Sequence, residues 1–266
     1  MWILFIACAC GRMVSHLLGS HHHGVVDLLA SVGDKDEARV RKMRTSMLLE
    51  KVQTYGWANI QVSPDPVDIL NLSRSLGTIV HQPSRPEIST LKPLEKNSAQ
   101  ANTTSALYGL GKFPFHTDLA HWPLPPRYVV MGNGNTLSNI PTLLLDTRSS
   151  GLFEHLCKNA KLGVWNIKKT LRPFACSLFL TQSNKIGLRW DSNVMSPLNI
   201  AARQIGTELS QLLESESRTH EISHKWNVPG LCVVIDNWRV LHSRPSIPLN
   251  EASRVLYRVF VSEKTS

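Results

Sequence analysis

The chain beyond Leu107 is a succession of short apolar runs separated by proline, glycine and asparagine, and this pattern limits the fold more than any other feature. The runs lie at 128–131, 142–145, 177–180, 186–190, 231–235 and 255–261. Runs of this length are typical of β-strands, and their repeated spacing is typical of a β-sandwich or barrel. We therefore predict a mainly β core of jelly-roll type.

Helices are expected to flank this core. Residues 39–55 place apolar side chains at helical spacing before Gly56, and Pro64-Asp65-Pro66 is typical of a helix start. We predict helices at 39–55, 66–77, 151–159 and 198–214, a strand at 57–62 and a loop at 83–101.

Length and cysteine content indicate a single globular domain in a reducing compartment. The 266 residues suit one substantial core, and we predict a domain at 39–266 after a poorly ordered extension at 1–38. The five cysteines lack the spacing of a zinc ribbon or a disulfide framework. The apolar run at 2–10 follows no basic residue and is too short for a signal peptide or a membrane span. We expect a cytoplasmic protein without a membrane partner, and the sequence does not predict its oligomeric state.

The charge distribution bears on the kind of ligand. The net charge is +9, and residues 151–200 carry seven basic against two acidic side chains, so that 7 − 2 = +5. Such a surface either keeps a protein soluble or attracts an anionic ligand. No nucleic-acid motif accompanies the charge, so we expect no nucleic-acid partner. A small-molecule substrate is expected, with a slight preference for an anionic one.

Chemically active residue types are concentrated in the segment FPFHTDLAHWPLPP. Residues i and i+2 of an extended segment point to the same side, so His116 and Asp118 converge while Thr117 points away. With a second histidine, His242, from a distant strand, they would form the two-histidine, one-carboxylate triad of non-haem Fe(II) sites, which leaves coordination positions open. The HxD pair alone is also compatible with two loop residues that make local hydrogen bonds.

Three segments, at 113–126, 235–244 and 253–261, resemble in order and pattern the taurine dioxygenase (TauD/TfdA) family of Fe(II)/2-oxoglutarate-dependent oxygenases, which is of the clavaminate synthase-like type. The resemblance spans roughly residues 55–261. It implies that His116, Asp118 and His242 bind iron. It also implies 2-oxoglutarate and O2 as cosubstrates and a double-stranded β-helix, the cupin-like jelly roll, as the fold.

The resemblance also implies a site for the cosubstrate. Arg254 stands 12 residues after His242, where the family places the arginine that binds the far carboxylate of 2-oxoglutarate. A guanidinium group suits this planar, bidentate task. Thr142 resembles the family's threonine that contacts the same carboxylate. The alternative for Arg254 is an exposed arginine on a strand.

Several further residues are candidates of lesser weight. Arg258 matches a position where some family members contact an anionic substrate, and a structural ion pair is the alternative. Tyr108 and His121 are expected to line the substrate pocket. Asp236 and Arg244 flank the distal histidine in sequence and are interpreted as groups that orient it, although Asp236 also suits a turn cap.

These features lead to one main function and three alternatives. The main prediction is a dioxygenase that hydroxylates a small organic molecule and releases succinate and CO2. The same scaffold could instead catalyse desaturation, cyclisation or epimerisation, whereas the presence of Asp118 disfavours halogenation. A zinc hydrolase that uses His220 and His224 in the segment HEISH would fit the H-E-x-x-H pattern, but only on a helix. A non-catalytic protein with the oxygenase fold is the third alternative.

Overall fold

The computed structural model describes residues 34–101, 103–168, 172–215 and 220–264. Within these ranges the α-helices are α1 (Asp34–Tyr55), α2 (Pro66–Leu76), α3 (Thr104–Tyr108), α4 (Leu152–Asn159) and α5 (Ile200–Glu214). The strands are β1 (Trp57–Gln61), β2 (Thr78–Ile79), β3 (Ile88–Leu91), β4 (Phe113–His116), β5 (Tyr128–Asn133), β6 (Ser138–Asp146), β7 (Trp165–Ile167), β8 (Phe174–Cys176), β9 (Phe179–Gln182), β10 (Lys185–Leu188), β11 (Met195–Pro197), β12 (Glu221–Trp226), β13 (Leu231–Asp236), β14 (Val240–Arg244) and β15 (Leu256–Ser262).

Two antiparallel sheets face each other. The larger sheet has the strand order β1-β13-β5-β15-β2, and β3 also pairs with β15. The smaller sheet has the order β12-β6-β14-β4, in which β4 is an edge strand. There are also a three-stranded sheet, β11-β7-β8, and a two-stranded sheet, β10-β9, in the described residues. This arrangement is a double-stranded β-helix with flanking helices, and the predicted fold class is confirmed.

The alternation of side chains along each strand separates an inner layer from the outer layers. On β15, Leu256 and Phe260 point into the space between the two sheets, whereas Val259 and Val261 pack beneath α1 and α2. The apolar inner layer also contains Val129, Met131, Leu144, Trp226, Val233, Ile235 and Val240. On the other side of the smaller sheet, α4 and α5 pack against Leu145 and Leu241. The polar side chains of the inner layer form the site described below.

The start and end of α2 show how local sequence sets an element. The carboxylate of Asp65 accepts a hydrogen bond from the Val67 N–H at 2.8 Å, and Pro66 occupies the first turn, where it needs no N–H partner. After the helix, a Cβ at Gly77 would lie 2.1 Å from the backbone oxygen of Ser262. Glycine is therefore required where the chain passes from α2 into β2 beside β15.

The structure differs from the sequence prediction at several boundaries. The predicted loop at 83–101 contains β3 and a short 3-10 helix, Lys96–Ser98, because β15 has a free edge that β3 pairs with. Helix α1 begins at Asp34, inside the extension predicted at 1–38, of which residues 1–33, with the apolar run at 2–10, lie outside the described residues. No helix in the described ranges combines the length and apolar character needed to cross a membrane.

Candidate functional site

Two histidines lie opposite each other at the edge of the smaller sheet. Strand β14 pairs with β4, and His242 is the Cα partner of His116. Paired residues in an antiparallel ladder project to the same face of the sheet. The register therefore directs both imidazoles to one side, with ring centroids 4.5 Å apart.

Asp118 completes a cluster of three potential metal ligands. Its Oδ2 lies 3.2 Å from Nε2 of His242, and its Oδ1 lies 3.8 Å from Nε2 of His116. Ligand atoms of the three residues all lie within 4.8 Å of one another, and no other group of three or more His, Cys, Asp or Glu side chains does so in the part of the chain described. Thr117 turns away, since its hydroxyl accepts from the Trp190 N–H at 3.1 Å. The convergence expected from the HxD spacing is present.

The backbone at Asp118 is held by Asn237. The Asn237 side-chain oxygen accepts from the Asp118 N–H at 2.9 Å, and its amide nitrogen donates to the Asp118 carbonyl at 3.0 Å. Directly after Asp118, Leu119 has a φ of 54°, which a bulky side chain rarely adopts. The paired hydrogen bonds from a buried asparagine hold the chain through this strained turn, and so fix where the carboxylate points.

Arg258 is the charge partner of Asp118. Its guanidinium donates to Oδ1 at 2.8 Å, so the structural ion pair considered from sequence is present. Burial by itself would raise the pKa of Asp118, but Arg258, followed by His242 and His116, outweighs it and holds the pKa well below the usual range. The carboxylate is therefore ionised at neutral pH. Its Oδ2 is buried and accepts no hydrogen bond from the described residues, so a lone pair remains for a cation.

Both histidines are in forms that suit a metal ligand. Nδ1 of His116 lies 2.9 Å from the Pro114 carbonyl, which only accepts, so Nδ1 carries the hydrogen and Nε2 offers its lone pair. Burial, together with His116, lowers the pKa of His242 and keeps that ring neutral. Two imidazoles and one carboxylate with an unused oxygen fit a divalent iron ion, whose facial triad has this composition.

A second polar cluster, the arginine end, lies farther along the same interior. We define it as Arg254, Thr142, Trp226 and His224. The Thr142 hydroxyl accepts from Arg254 at 3.2 Å and from the indole N–H of Trp226 at 3.2 Å. Two donors occupy both lone pairs of that oxygen, so the hydroxyl hydrogen of Thr142 is left to donate to a further group.

Arg254 is a buried cation without a buried anion. It is 5% exposed, its Nε has no hydrogen-bond partner, and no carboxylate in the described ranges lies within ion-pair distance of it. Burial, followed by the nearby charge of Arg244, lowers its pKa to about 10, so it remains protonated at neutral pH. A buried charge needs a partner, and the alternative of an exposed strand arginine is contradicted. The arginine end fits a carboxylate.

The spacing between the two ends suits a short dicarboxylate. His242 pairs with Leu144 on β6, and Thr142 is two residues along that strand on the same face. Two residues of a strand advance about 7 Å. A five-carbon diacid that chelates a metal at one end can therefore reach Thr142 and Arg254 with the other.

The HEISH segment does not have the geometry of a zinc hydrolase. Glu221 to His224 lie on strand β12, whereas the H-E-x-x-H motif requires a helix. His220 lies in the turn before the strand and is exposed, while His224 is buried at the arginine end. The zinc alternative therefore lacks its structural basis.

The remaining candidates are distributed around the site. The Tyr108 hydroxyl, on the short helix α3, donates to Asn193 at 2.6 Å, and burial raises its pKa. His121 lies half-buried in the turn that follows Asp118. The residues expected to orient the distal histidine contact other groups.

Asp236 and Arg244, interpreted from sequence as groups that orient His242, have other partners in the structure. Asp236 pairs with Arg127 at 2.6 Å and caps the turn by accepting from the Trp238 N–H at 3.1 Å. Arg244 donates to the carbonyls of Gly109 and Gly111 at 2.9 and 2.6 Å. It therefore holds the loop after α3 against β14.

Sequence reasoning did not assign to this site three residues that shape it: Asn237, Trp226 and His224, the last of which was considered only as a zinc ligand. Asn237 stands in the turn IDNW, where an asparagine is ordinary, and only the contact with Asp118 distinguishes it. Trp226 and His224 alternate along HEISHKW with exposed residues, and that period of two was the available signal that both face inward.

Comparison with known proteins identifies the fold. No protein-family model matches the sequence, and no curated protein matches it. Asparagine oxygenase, solved with Fe(II), a 3-hydroxyasparagine and succinate, gives a TM-score of 0.65 at 14% identity, over 85% of this chain and 79% of that chain. PvcB from Pseudomonas aeruginosa gives 0.61 at 17% identity, over 84% and 81%. The non-haem iron oxygenase OrfP, solved with Fe, succinate and a 3-hydroxy-arginine, gives 0.59 at 18% identity, over 84% and 81%.

These identities establish a shared fold. The chain has the fold of non-haem iron oxygenases, and the fold that the sequence resemblance implied is confirmed.

Proposed function

We propose that this protein is an Fe(II)- and 2-oxoglutarate-dependent oxygenase that oxidises a small organic molecule, most simply by hydroxylation. The observation that carries the proposal is the pairing of two clusters in one interior. A two-histidine, one-carboxylate cluster lies about 7 Å along the sheet from a buried arginine and threonine that have no anionic partner among the described residues. 2-Oxoglutarate needs both clusters, because its 2-oxo acid end would chelate the metal and its far carboxylate would then reach the arginine and the threonine.

His116, His242 and Asp118 would hold the iron ion. Nε2 of His116, Nε2 of His242 and Oδ2 of Asp118 are the atoms that would bind it. Arg258 keeps the carboxylate ionised by bonding only Oδ1, and Asn237 fixes its direction. Iron with 2-oxoglutarate and O2, when bound, would supply the oxidation of a C–H bond, with release of succinate and CO2.

The arginine end would bind and orient the cosubstrate. Arg254 would neutralise the far carboxylate, and Thr142 would donate its hydroxyl hydrogen to the same group. The surrounding apolar inner layer, which includes Leu256 and Phe260, excludes water, so these charged hydrogen bonds form in a low dielectric.

The proposed substrate is a small molecule. Two of the structural neighbours hold hydroxylated amino acids, so amino acids are the first class to test for this chain. Tyr108 and His121 are proposed to line the pocket. Arg258, whose Nε has no hydrogen-bond partner among the described residues, is proposed to contact the substrate if that substrate is anionic.

The test is anaerobic reconstitution with Fe(II). We expect about one iron per chain and, on addition of 2-oxoglutarate, a weak visible charge-transfer band from the bidentate chelate. Succinate formation is then measured in air with a panel of amino acids and other small acids. A fully iron-loaded protein without the band would contradict the cosubstrate. A band without succinate from any substrate would favour the non-catalytic alternative.

A further inference from the structure

His224 is a buried histidine that the metal cluster does not use. It is 4% exposed on β12 and is the Cα partner of Thr142 on β6. Because paired residues project to the same face, its ring lies beside the Thr142 hydroxyl. The indole of Trp226 stands edge-on to it with ring centroids 4.3 Å apart, and that indole donates to Thr142.

The ring is neutral and has an unused nitrogen. Burial, followed by the charge of Arg254, lowers the pKa of His224 to about 4, so at neutral pH the ring has one N–H donor and one acceptor nitrogen. Nε2 is fully buried, and no described side chain or backbone group hydrogen-bonds to it. Buried polar atoms in folded proteins are nearly always hydrogen-bonded, so this nitrogen calls for a partner.

We propose that Nε2 of His224 donates a hydrogen bond to the far carboxylate of 2-oxoglutarate, as a third contact beside Arg254 and Thr142. The inference rests on the proposed function, since it needs a dicarboxylate at the arginine end. A carboxylate offers about four lone-pair sites, so one group can accept from all three residues. His224 thereby helps the site to select a diacid over a monoacid with the same chain length.

The experiment compares two ligands that differ only at the far end. 2-Oxovalerate has the five-carbon chain of 2-oxoglutarate with a methyl group in place of the far carboxylate. Both are titrated anaerobically into the Fe(II) protein, and the charge-transfer band gives each Kd. In His224→Phe, we expect the Kd of 2-oxoglutarate to rise about 10- to 100-fold, the usual effect of losing a hydrogen bond to a charged group. The Kd of 2-oxovalerate should change less than about twofold, because it lacks that bond.

The matched control is His220→Ala, the exposed histidine of the same segment, which should leave both Kd values unchanged. Equal weakening of both ligands by His224→Phe would overturn the inference, because it would show a packing role only. A wild-type protein that binds both ligands equally would instead overturn the proposed cosubstrate. The two failures are therefore distinct.

A measurement on the wild-type chain covers the case in which His224→Phe does not fold. With diamagnetic Zn(II) in place of iron, the 15N resonance of His224 Nε2 should shift on addition of 2-oxoglutarate and stay in place with 2-oxovalerate. The same response to both ligands would overturn the inference without any variant.

Discussion

The two ends of the space between the sheets carry charge in opposite ways. At the metal end, the Asp118 carboxylate is matched by Arg258 at 2.8 Å and faces the imidazoles of His116 and His242. At the arginine end, Arg254 contacts a hydroxyl and has no carboxylate within ion-pair distance among the described residues. The first end is balanced by its own side chains, whereas the second is not.

This difference affects the net charge of the space between the sheets. The charges of Asp118, Arg258 and Arg254 sum to −1 + 1 + 1 = +1. A divalent iron ion and a dianionic cosubstrate carry equal and opposite charges. Binding of both therefore leaves the net charge of the interior at +1, whereas binding of either one alone changes it by two units. A mutation at the arginine end should weaken 2-oxoglutarate and leave iron content in its absence unchanged, whereas a mutation at the metal end removes the iron on which the cosubstrate depends, and the following experiments test that separation.

The largest effect is expected at the metal end. Asp118→Ala, His116→Ala and His242→Ala each remove one of three protein ligands. We expect iron affinity to fall more than about 100-fold, since even outer-sphere partners of a metal commonly account for 10- to 100-fold. Oxygen-dependent consumption of 2-oxoglutarate should be lost together with the iron. Metal content, turnover and melting temperature are measured in parallel, because a buried histidine can also matter for packing.

The control for this series is again His220→Ala, which should keep iron and turnover. If His220→Ala lost iron while a folded His242→Ala retained iron and turnover, the assignment of the metal end would be wrong.

The next effect is expected from Arg254→Lys. Lysine keeps the positive charge but lacks the planar pair of donors, so the KM for 2-oxoglutarate should rise about 10- to 100-fold. Iron content in the absence of 2-oxoglutarate should remain that of the wild type, because the change is confined to the arginine end. An unaltered KM would remove Arg254 from the site, and an equal loss of iron would break the separation between the two ends.

A smaller effect is expected from Thr142→Val, which replaces the hydroxyl with a methyl group of similar shape. The variant loses one neutral donor to the carboxylate, so the Kd of 2-oxoglutarate should rise about 2- to 10-fold. It also leaves the indole N–H of Trp226 without its acceptor, so the melting temperature should fall slightly. Isothermal titration measures the affinity. A loss as large as that in Arg254→Lys would mean that the hydroxyl contributes as much to binding as the paired donors of the guanidinium, and would contradict the expected order.

The smallest effect concerns pH. The pKa of His224 is about 4 in the folded protein against 6.5 for an unperturbed histidine, so the unfolded chain takes up the proton first as pH falls. Its contribution to stability is therefore present above about pH 6.5 and is lost progressively toward pH 4. Thermal unfolding of the metal-free protein should show a smaller loss of stability between pH 7 and pH 5 in His224→Gln than in the wild type. His242 titrates in the same direction in both proteins, so only the difference between them counts, and equal losses would contradict the buried neutral ring.

Much of the fold and the metal cluster could be predicted from sequence. The apolar runs predicted most of the central strands because a strand that is buried on both faces, as β5 and β13 are, needs apolar residues at successive positions. The HxD spacing predicted that His116 and Asp118 converge, since that property depends only on an extended backbone. The strand β3, by contrast, lacks a strong pattern of its own and forms because β15 offers a free edge.

The sequence by itself determined the local chemistry: which residue types were available, which of them shared a face of a strand, and where α2 begins. The tertiary structure decided which distant faces meet. The register of β14 on β4 brings His242 to His116, and the facing of the two sheets gives Asp118 its partner Arg258. The register of β12 on β6 places His224 beside Thr142. A shift of one residue in either pairing would turn these side chains to the opposite face, because side chains in a strand repeat every two residues, and that choice is made only when both sheets bury their apolar faces together.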